Sequence, residues 1–313
     1  MTAPVEFSPP PSRSQRLLSG FLRGALRLLF RGLMRPSVPV AWQRRVLNAL
    51  TAATLTPRGV TRSDEIIAGV ACEWQRVGFD GGRTLLYLHG GAYLVGSPAT
   101  HRAITCNLAR LSGAAVCAAD YRLAPEYRFP APLEDALAVY QALLERGQDP
   151  KKLAIAGDSA GGHLTLQLAL ALKERGLPLP AALVVFSPVT DVTCKQWHQP
   201  PAGDPLISRA WVEQAVGLFC PPQVPLDSAL LSPVFADLAG LPPMLIQVGE
   251  DEVLRNDSLR LAEAAYRQGV AVELQRYRDC WHVFQAHAGV LDIADRALGE
   301  VAGFLSRQWQ GEA

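Results

Sequence analysis

From about residue 65 onward, short β-like runs alternate with stretches of helical period, and this alternation limits the fold more than any other feature. The β-like runs lie at 66–72, 73–77, 84–89, 114–120, 153–156, 182–187, 244–248 and 272–277. Helical patterns fill 99–112, 131–147, 160–176, 256–269 and 284–309. Strands joined through helices form a parallel sheet with both faces covered. The first two runs follow each other directly, so an antiparallel hairpin opens the sheet. The expected fold is α/β, with a mostly parallel eight-stranded sheet flanked by helices.

Two segments stand outside this rhythm. In the first, "SQRLLSGFLRGALRLLFRGLMR" places Leu17, Leu18, Phe21, Leu22, Ala25, Leu26, Leu29, Phe30 and Leu33 at three- and four-residue steps, interleaved with Arg16, Arg23, Arg27, Arg31 and Arg35. That is a basic amphipathic helix, expected to lay its apolar face on the rest of the protein rather than on a membrane. Its charges break any secretory leader. The second segment, from Thr193 to about Pro233, carries Pro200-Pro201, Pro205, Pro221-Pro222 and Pro225 around a short helix near 208–218. Insertions of this kind decorate the end of a sheet where a site lies. The expected organisation is a helical cap in two pieces, residues 1–55 and 193–233, over a core formed by 56–192 and 234–313.

The bulk numbers exclude several functions. Thirty basic residues stand against 29 acidic ones in a chain of 313, so no global field favours nucleic acid. No run of about 18 apolar residues supports a membrane span. The six cysteines (Cys72, Cys106, Cys117, Cys194, Cys220 and Cys280) are scattered without metal-ligand spacing. They read as reduced, buried residues of a cytoplasmic protein.

Chemistry enters at "KLAIAGDSAGGHLTLQLALAL", 152–172. Here Gly157-Asp158-Ser159-Ala160-Gly161 fits G-x-S-x-G between a buried strand and a helix, the context of a strained nucleophile elbow. Glycines two before and two after the serine remove side chains where strand and helix converge. A serine hydroxyl needs a base to take its proton and an acid to orient that base. The partners of such an elbow follow in the order Ser, Asp or Glu, His. Of the six histidines, only His282 and His287 follow a late strand, and His287 falls inside a helical pattern. His282 is the expected base. The loop after 244–248 reads Gly249-Glu250-Asp251-Glu252, and spacing does not choose among its three carboxylates. Asp191 is a rival one strand earlier, although its Ser/Thr/Asp surroundings look like turn capping.

An oxyanion needs preorganised backbone donors. "LYLHGGAYLVGS", 86–97, repeats the strand-then-glycine arrangement, and Gly90 and Gly91 permit close approach of the backbone. The N–H after the nucleophile, on Ala160, is the usual second donor. Walker and dinucleotide spacings are both missing. His89 reads as a brace for the loop.

Together these segments resemble the hormone-sensitive-lipase-like branch of the α/β-hydrolases, the bacterial carboxylesterases with an H-G-G-G loop. The carrying residues are His89-Gly90-Gly91-Ala92, Asp120-Tyr121-Arg122-Leu123-Ala124-Pro125-Glu126, Phe129-Pro130, Glu134-Asp135 and Gly157-Asp158-Ser159-Ala160-Gly161-Gly162. Ser187-Pro188, Thr190-Asp191, Asp251-Glu252-Val253-Leu254 and His282-Val283-Phe284 complete the set. The resemblance implies Ser159 as nucleophile, Asp251 as orienting acid and His282 as base. It also implies that Gly90, Gly91 or Ala92 joins Ala160 in the oxyanion hole. Ala92 departs from the motif's third glycine, and Tyr127-Arg128 replaces a frequent His-Pro.

The expected activity is hydrolysis of short- to medium-chain acyl esters through an acyl-enzyme, with no metal or organic cofactor. A lactone hydrolase or acetyl-ester deacetylase with the same triad is the enzymatic alternative, and a small-ligand-binding module the non-enzymatic one. The expected partner is a small-molecule ester, without nucleic acid or stable membrane insertion. An uncovered edge on the last strand would invite a homodimer.

Overall fold

A computed structural model describes residues 4–8, 12–52, 54, 56–78 and 80–311. Residues 1–3, 9–11, 53 and 55 of the expected first cap piece therefore lie outside the described residues. Nine strands form one sheet: β1 (Val5–Phe7), β2 (Thr61–Ile67), β3 (Val70–Arg76), β4 (Thr84–Leu88), β5 (Ala115–Ala119), β6 (Leu153–Asp158), β7 (Ala182–Phe186), β8 (Met244–Gly249) and β9 (Val272–Tyr277). Their order is β1-β9-β8-β7-β6-β4-β5-β3-β2. From β5 through β4, β6, β7 and β8 to β9 every pairing is parallel, and β3 joins β5 antiparallel.

The central strands bury both faces. On β4, Leu86 and Leu88 pack beneath α4 (Ala131–Glu145), α5 (Ala160–Glu174) and α7 (Arg255–Arg267). Leu85 and Tyr87 alternate to the other face, beneath α3 (Arg102–Ser112) and α8 (Asp292–Gln310). This two-residue period is what hides a strand between two helical layers.

The structure differs from the sequence reading in three places. The opening hairpin turns at Ala68 and Gly69, both at positive φ, and not at 72–73. The polar, largely exposed β2 carries almost no apolar signal to mark its extent. The helical pattern at 284–309 breaks, because Gly289 at φ +82° separates a 3-10 turn at Phe284–His287 from α8. The sheet also has a ninth strand, where eight were expected. β1 runs parallel to β9, pairing Val5 with Gln275 and Phe7 with Tyr277. Glu6 bonds Arg276 and Arg278 at 3.1 and 3.0 Å, and Phe7 stacks on Tyr277. The sequence argument for a homodimer rests on an open β9 edge, and β1 covers that edge over 275–277.

Three further helices sit at the carboxyl ends of the strands: α1 (Arg13–Leu33), α2 (Val40–Thr51) and α6 (Arg209–Phe219). Ser12 caps α1 by accepting from the Gln15 N–H. Leu18, Leu22 and Leu26 pack against the cluster containing Phe7, Tyr277 and Trp281. Leu17, Phe21 and Leu28 remain exposed. Trp211 on α6 donates its indole N–H to Gln43 on α2 at 2.9 Å, so the two outlying segments meet. Among the described residues no helix is long and apolar enough to cross a membrane. All six cysteines are unpaired and buried.

Candidate active site

β6 is buried along its whole length and leads into Ser159, which stands at φ 53°, ψ −118° before α5 begins. A serine in this region is strained. The strain is held by the Ser159 N–H bond to the Phe186 carbonyl at 2.8 Å and by Val189 N–H donation to the Ser159 carbonyl at 3.2 Å. The flanking glycines are steric necessities. A Cβ at Gly161 would lie 1.9 Å from the Leu88 carbonyl oxygen, and one at Gly157 would lie 2.3 Å from that of Gly161. The Ser159 hydroxyl hydrogen-bonds to no described residue.

His282 leaves the loop after β9 and is buried. Its Nδ1 lies 3.2 Å from Oε1 of Glu252, and the other oxygen of Glu252 accepts from the Ser187 hydroxyl at 2.7 Å and the Gly249 N–H at 3.0 Å. A carboxylate only accepts, so in the neutral ring Nδ1 carries the proton and Nε2 keeps the lone pair. Ser187 (φ 46°) and Val283 (φ 49°) both hold left-handed backbone beside this pair. Burial by itself lowers the His282 pKa, but the bond and charge of Glu252, with the charges of Asp204 and Asp158, bring it above its ordinary value.

Asp251 is not the residue that faces His282. Its carboxylate binds Arg23 of α1 at 2.6 Å. Glu250 binds Arg276 and Arg255 at 2.5 and 3.0 Å. The loop thus sends three successive carboxylates in three directions, and only Glu252 turns inward. The choice of Asp251 as orienting acid is corrected on this geometry. Asp191 caps its own turn, accepting from the Thr193 N–H at 3.0 Å and from Arg260 at 2.8 Å.

The loop after β4 places Gly91 (φ 121°), Ala92 (φ 54°) and Tyr93 (φ 59°) in succession at positive φ. Among the described residues, the N–H groups of Gly91, Ala92 and Ala160 have no acceptor. The Ala160 N–H also opens α5, where the helix end favours negative charge. Gly90 differs, because its N–H is committed to Asp158 Oδ1 at 3.0 Å. Its expected place among the oxyanion donors is corrected accordingly. His89 braces the loop: Nδ1 lies 2.8 Å from the Gly90 carbonyl, and the ring stacks on Tyr121 at 4.3 Å. Burial and the neighbouring His101 push its pKa down to about 3, so it is neutral.

Sequence reasoning missed one pair. Asp158 also accepts from the Tyr87 hydroxyl at 2.6 Å and lies 3.3 Å from His101 Nε2. For Asp158, burial works against ionisation but His101 and Tyr87 bring the pKa below its usual value. Burial lowers the His101 pKa and Asp158 raises it, with a net rise. The only sequence signal was an aspartate beside the serine, which does not reveal its partner 57 positions upstream.

Ser159, His282, Gly91 and Ala92 line one cavity of about 380 Å³, within the range that holds small ligands. Leu26, Leu29 and Phe30 of α1 and Trp211 of α6 line it with apolar surface. Both outlying segments grip the acid loop. The Val253 N–H donates to Asp204 at 3.1 Å, and the Val253 carbonyl accepts from the His198 N–H at 2.9 Å. Among the described residues no group of three or more His, Cys, Asp or Glu side chains is placed to hold a metal. The arrangement provides a hydroxyl, an oriented imidazole and free backbone donors around an apolar space.

The model of a family described as having the alpha/beta hydrolase fold matches residues 85–286. The chain is 41% identical over 257 residues to the acetyl-hydrolase of Streptomyces hygroscopicus, covering 81% of this chain and 85% of that protein. It is 35% identical over 247 residues to an esterase of Acinetobacter venetianus, covering 77% and 80%. The crystal structure of a hormone-sensitive lipase from a metagenome library superposes with a TM-score of 0.86 at 37% identity, covering 93% of this chain and 98% of that one.

Proposed function

Because this chain belongs to the hormone-sensitive-lipase-like esterases of the α/β-hydrolase fold, we propose that it hydrolyses short- to medium-chain acyl esters through Ser159, His282 and Glu252. The observation that carries the residue assignment is the 3.2 Å approach of His282 Nδ1 to the buried Glu252, on the wall of the cavity that holds Ser159.

His282 Nε2 takes the Ser159 proton as Oγ attacks the ester carbonyl. The tetrahedral oxyanion rests on the N–H groups of Ala160 and of Gly91 or Ala92. His282 then protonates the leaving alcohol. Water, deprotonated by the same nitrogen, opens the acyl-enzyme and returns Ser159. The Glu252 side chain fixes the imidazole tautomer and stabilises the imidazolium. No step calls for a metal or organic cofactor.

In this reading α1 and α2 with the segment 193–233 form the cap, while β1 (Val5–Phe7), expected in the cap, belongs to the sheet of the core. The apolar lining supports small soluble esters, as do relatives named acetyl-hydrolase and esterase. Six buried, unpaired cysteines support a reducing cytoplasmic setting.

The test is hydrolysis of p-nitrophenyl esters from acetate to palmitate by wild type, Ser159→Ala and His282→Ala. Activity peaking at short chains and lost in both variants is expected. A peak at palmitate removes the short-chain reading, and full activity in either variant removes the assignment.

A further inference from the structure

Between Phe7 and Ser63 the chain carries ten arginines and no acidic residue. The whole chain has a formal charge of only +1, so the remainder is net acidic. This asymmetry between segments is invisible in the total.

Within α1, Arg23 binds Asp251 and Arg27 the carbonyls of Ala202 and Gly203, while Arg13 and Arg31 are exposed. Leu17, Phe21 and Leu28 are 77%, 72% and 81% exposed, and their spacing puts them on one stripe of the helix. Arg13 and Arg31 are exposed beside that stripe, with Gly20, Gly24 and Gly32 around it. Single exposed leucines are ordinary, but a continuous apolar stripe along a helix needs a partner. The inward face is already occupied: Leu18 and Leu22 pack on the core, and Leu26, Leu29 and Phe30 line the cavity. The helix is therefore apolar on two sides, one turned to the cavity and one to the outside.

We propose that α1 docks this protein on an anionic lipid bilayer. Leu17, Phe21 and Leu28 enter the boundary between headgroups and acyl chains, and Arg13 and Arg31 face the anionic headgroups. Apolar side chains flanked by arginines, without an acid, are the chemistry of an interfacial helix. Charge decides against the α1 face of a second copy as occupant. Two α1 faces brought together would oppose arginine to arginine with no carboxylate between them. Docked this way, the helix that lines the ester cavity rests directly on the lipid surface. The inference stands on the outer face of α1 and does not depend on which residues perform the chemistry.

The experiment is co-sedimentation of the full chain with phosphatidylcholine vesicles, with and without phosphatidylglycerol, at low and high salt. The variants are Leu17→Ser/Phe21→Ser/Leu28→Ser and, separately, Arg13→Gln/Arg31→Gln. Hydrolysis of p-nitrophenyl butyrate by each variant reports whether α1 is still seated, and the arginine pair protects the test against misfolding of the triple variant. Wild type is expected to bind only the phosphatidylglycerol vesicles and to release in high salt. Each variant is expected to lower partitioning by roughly tenfold or more while keeping butyrate hydrolysis. Absence of wild-type binding overturns the proposal, as does equal binding by wild type and variants. So does a dimer, seen by light scattering without vesicle binding, that the triple variant dissociates.

Discussion

Arg23 holds Asp251 at 2.6 Å, and in doing so ties α1 to the loop whose next residue faces His282. The same guanidinium donates to the Asp279 carbonyl at 3.1 Å and lies 5.5 Å from the Trp281 ring centroid. One side chain therefore bridges the residue before Glu252 and the residues before His282. Packing of α1 and assembly of the acid–base pair are parts of one arrangement.

The two adjacent carboxylates should separate cleanly on mutation. Glu252→Gln removes the carboxyl partner of His282 Nδ1 and is expected to lower kcat by about 10³–10⁴-fold. Asp251→Asn is expected to cost less than about tenfold, since it loosens a partly exposed ion pair. Steady-state kinetics on p-nitrophenyl butyrate decide, and the reverse ranking would give the orienting role back to Asp251.

Arg23→Ala should lower kcat several-fold, and Asp251→Asn should add little on top of it. Both side chains are about one-fifth exposed, so the coupling in stability is expected at about 1 kcal/mol or less. A double-mutant cycle on kcat and on urea midpoint measures it. Strict additivity would mean that the pair acts independently.

The pH profile carries a sign. His282 must be neutral to act as base, so kcat/KM rises with pH as it loses its proton. Burial pulls its pKa down, while Glu252, Asp204 and Asp158 bring it above the ordinary 6.5. The wild-type acidic limb is therefore centred above 6.5, and Glu252→Gln moves it to lower pH. A limb unmoved in that variant would belong to another group.

His101→Ala should destabilise the fold by about 3 kcal/mol, because it leaves the buried Asp158 carboxylate without its cation. The raised His101 pKa contributes fully below 6.5 and fades as pH climbs through the folded value. The lowered Asp158 pKa contributes above 3.8 and fades as pH falls. Urea denaturation across pH should show the largest gap from wild type between 3.8 and 6.5. A gap that does not vary with pH would mean that lost packing, not the ion pair, explains the cost.

Gly161→Ala tests the elbow. Its Cβ would sit 1.9 Å from the Leu88 carbonyl oxygen and 2.5 Å from that of His89. Both are backbone atoms at the end of a buried strand, so the cost is expected to reach about 3 kcal/mol or more, with loss of activity. Ala92→Gly, at φ 54°, should keep both. Thermal melts and butyrate hydrolysis compare the two.

The strand–helix rhythm, the serine elbow and the late histidine were legible because each leaves a local mark. A buried strand is a short apolar run, an elbow needs its glycines, and an amphipathic helix repeats every three to four residues. β1 and β2 left weaker marks, one being three residues long and the other largely polar and exposed. The helix break at Gly289 was concealed by apolar residues on both sides of it.

What the sequence determined by itself was the order of the chemistry: a hydroxyl at a strand end, donors on two glycine-rich turns, and a base after the last long strand. Which carboxylate faces His282, which N–H stays free and what holds Asp158 were decided only in three dimensions. Glu250, Asp251 and Glu252 are nearly equivalent as neighbours in a sequence. They became different when Arg276, Arg23 and His282, brought from distant parts of the chain, each came to face a different one.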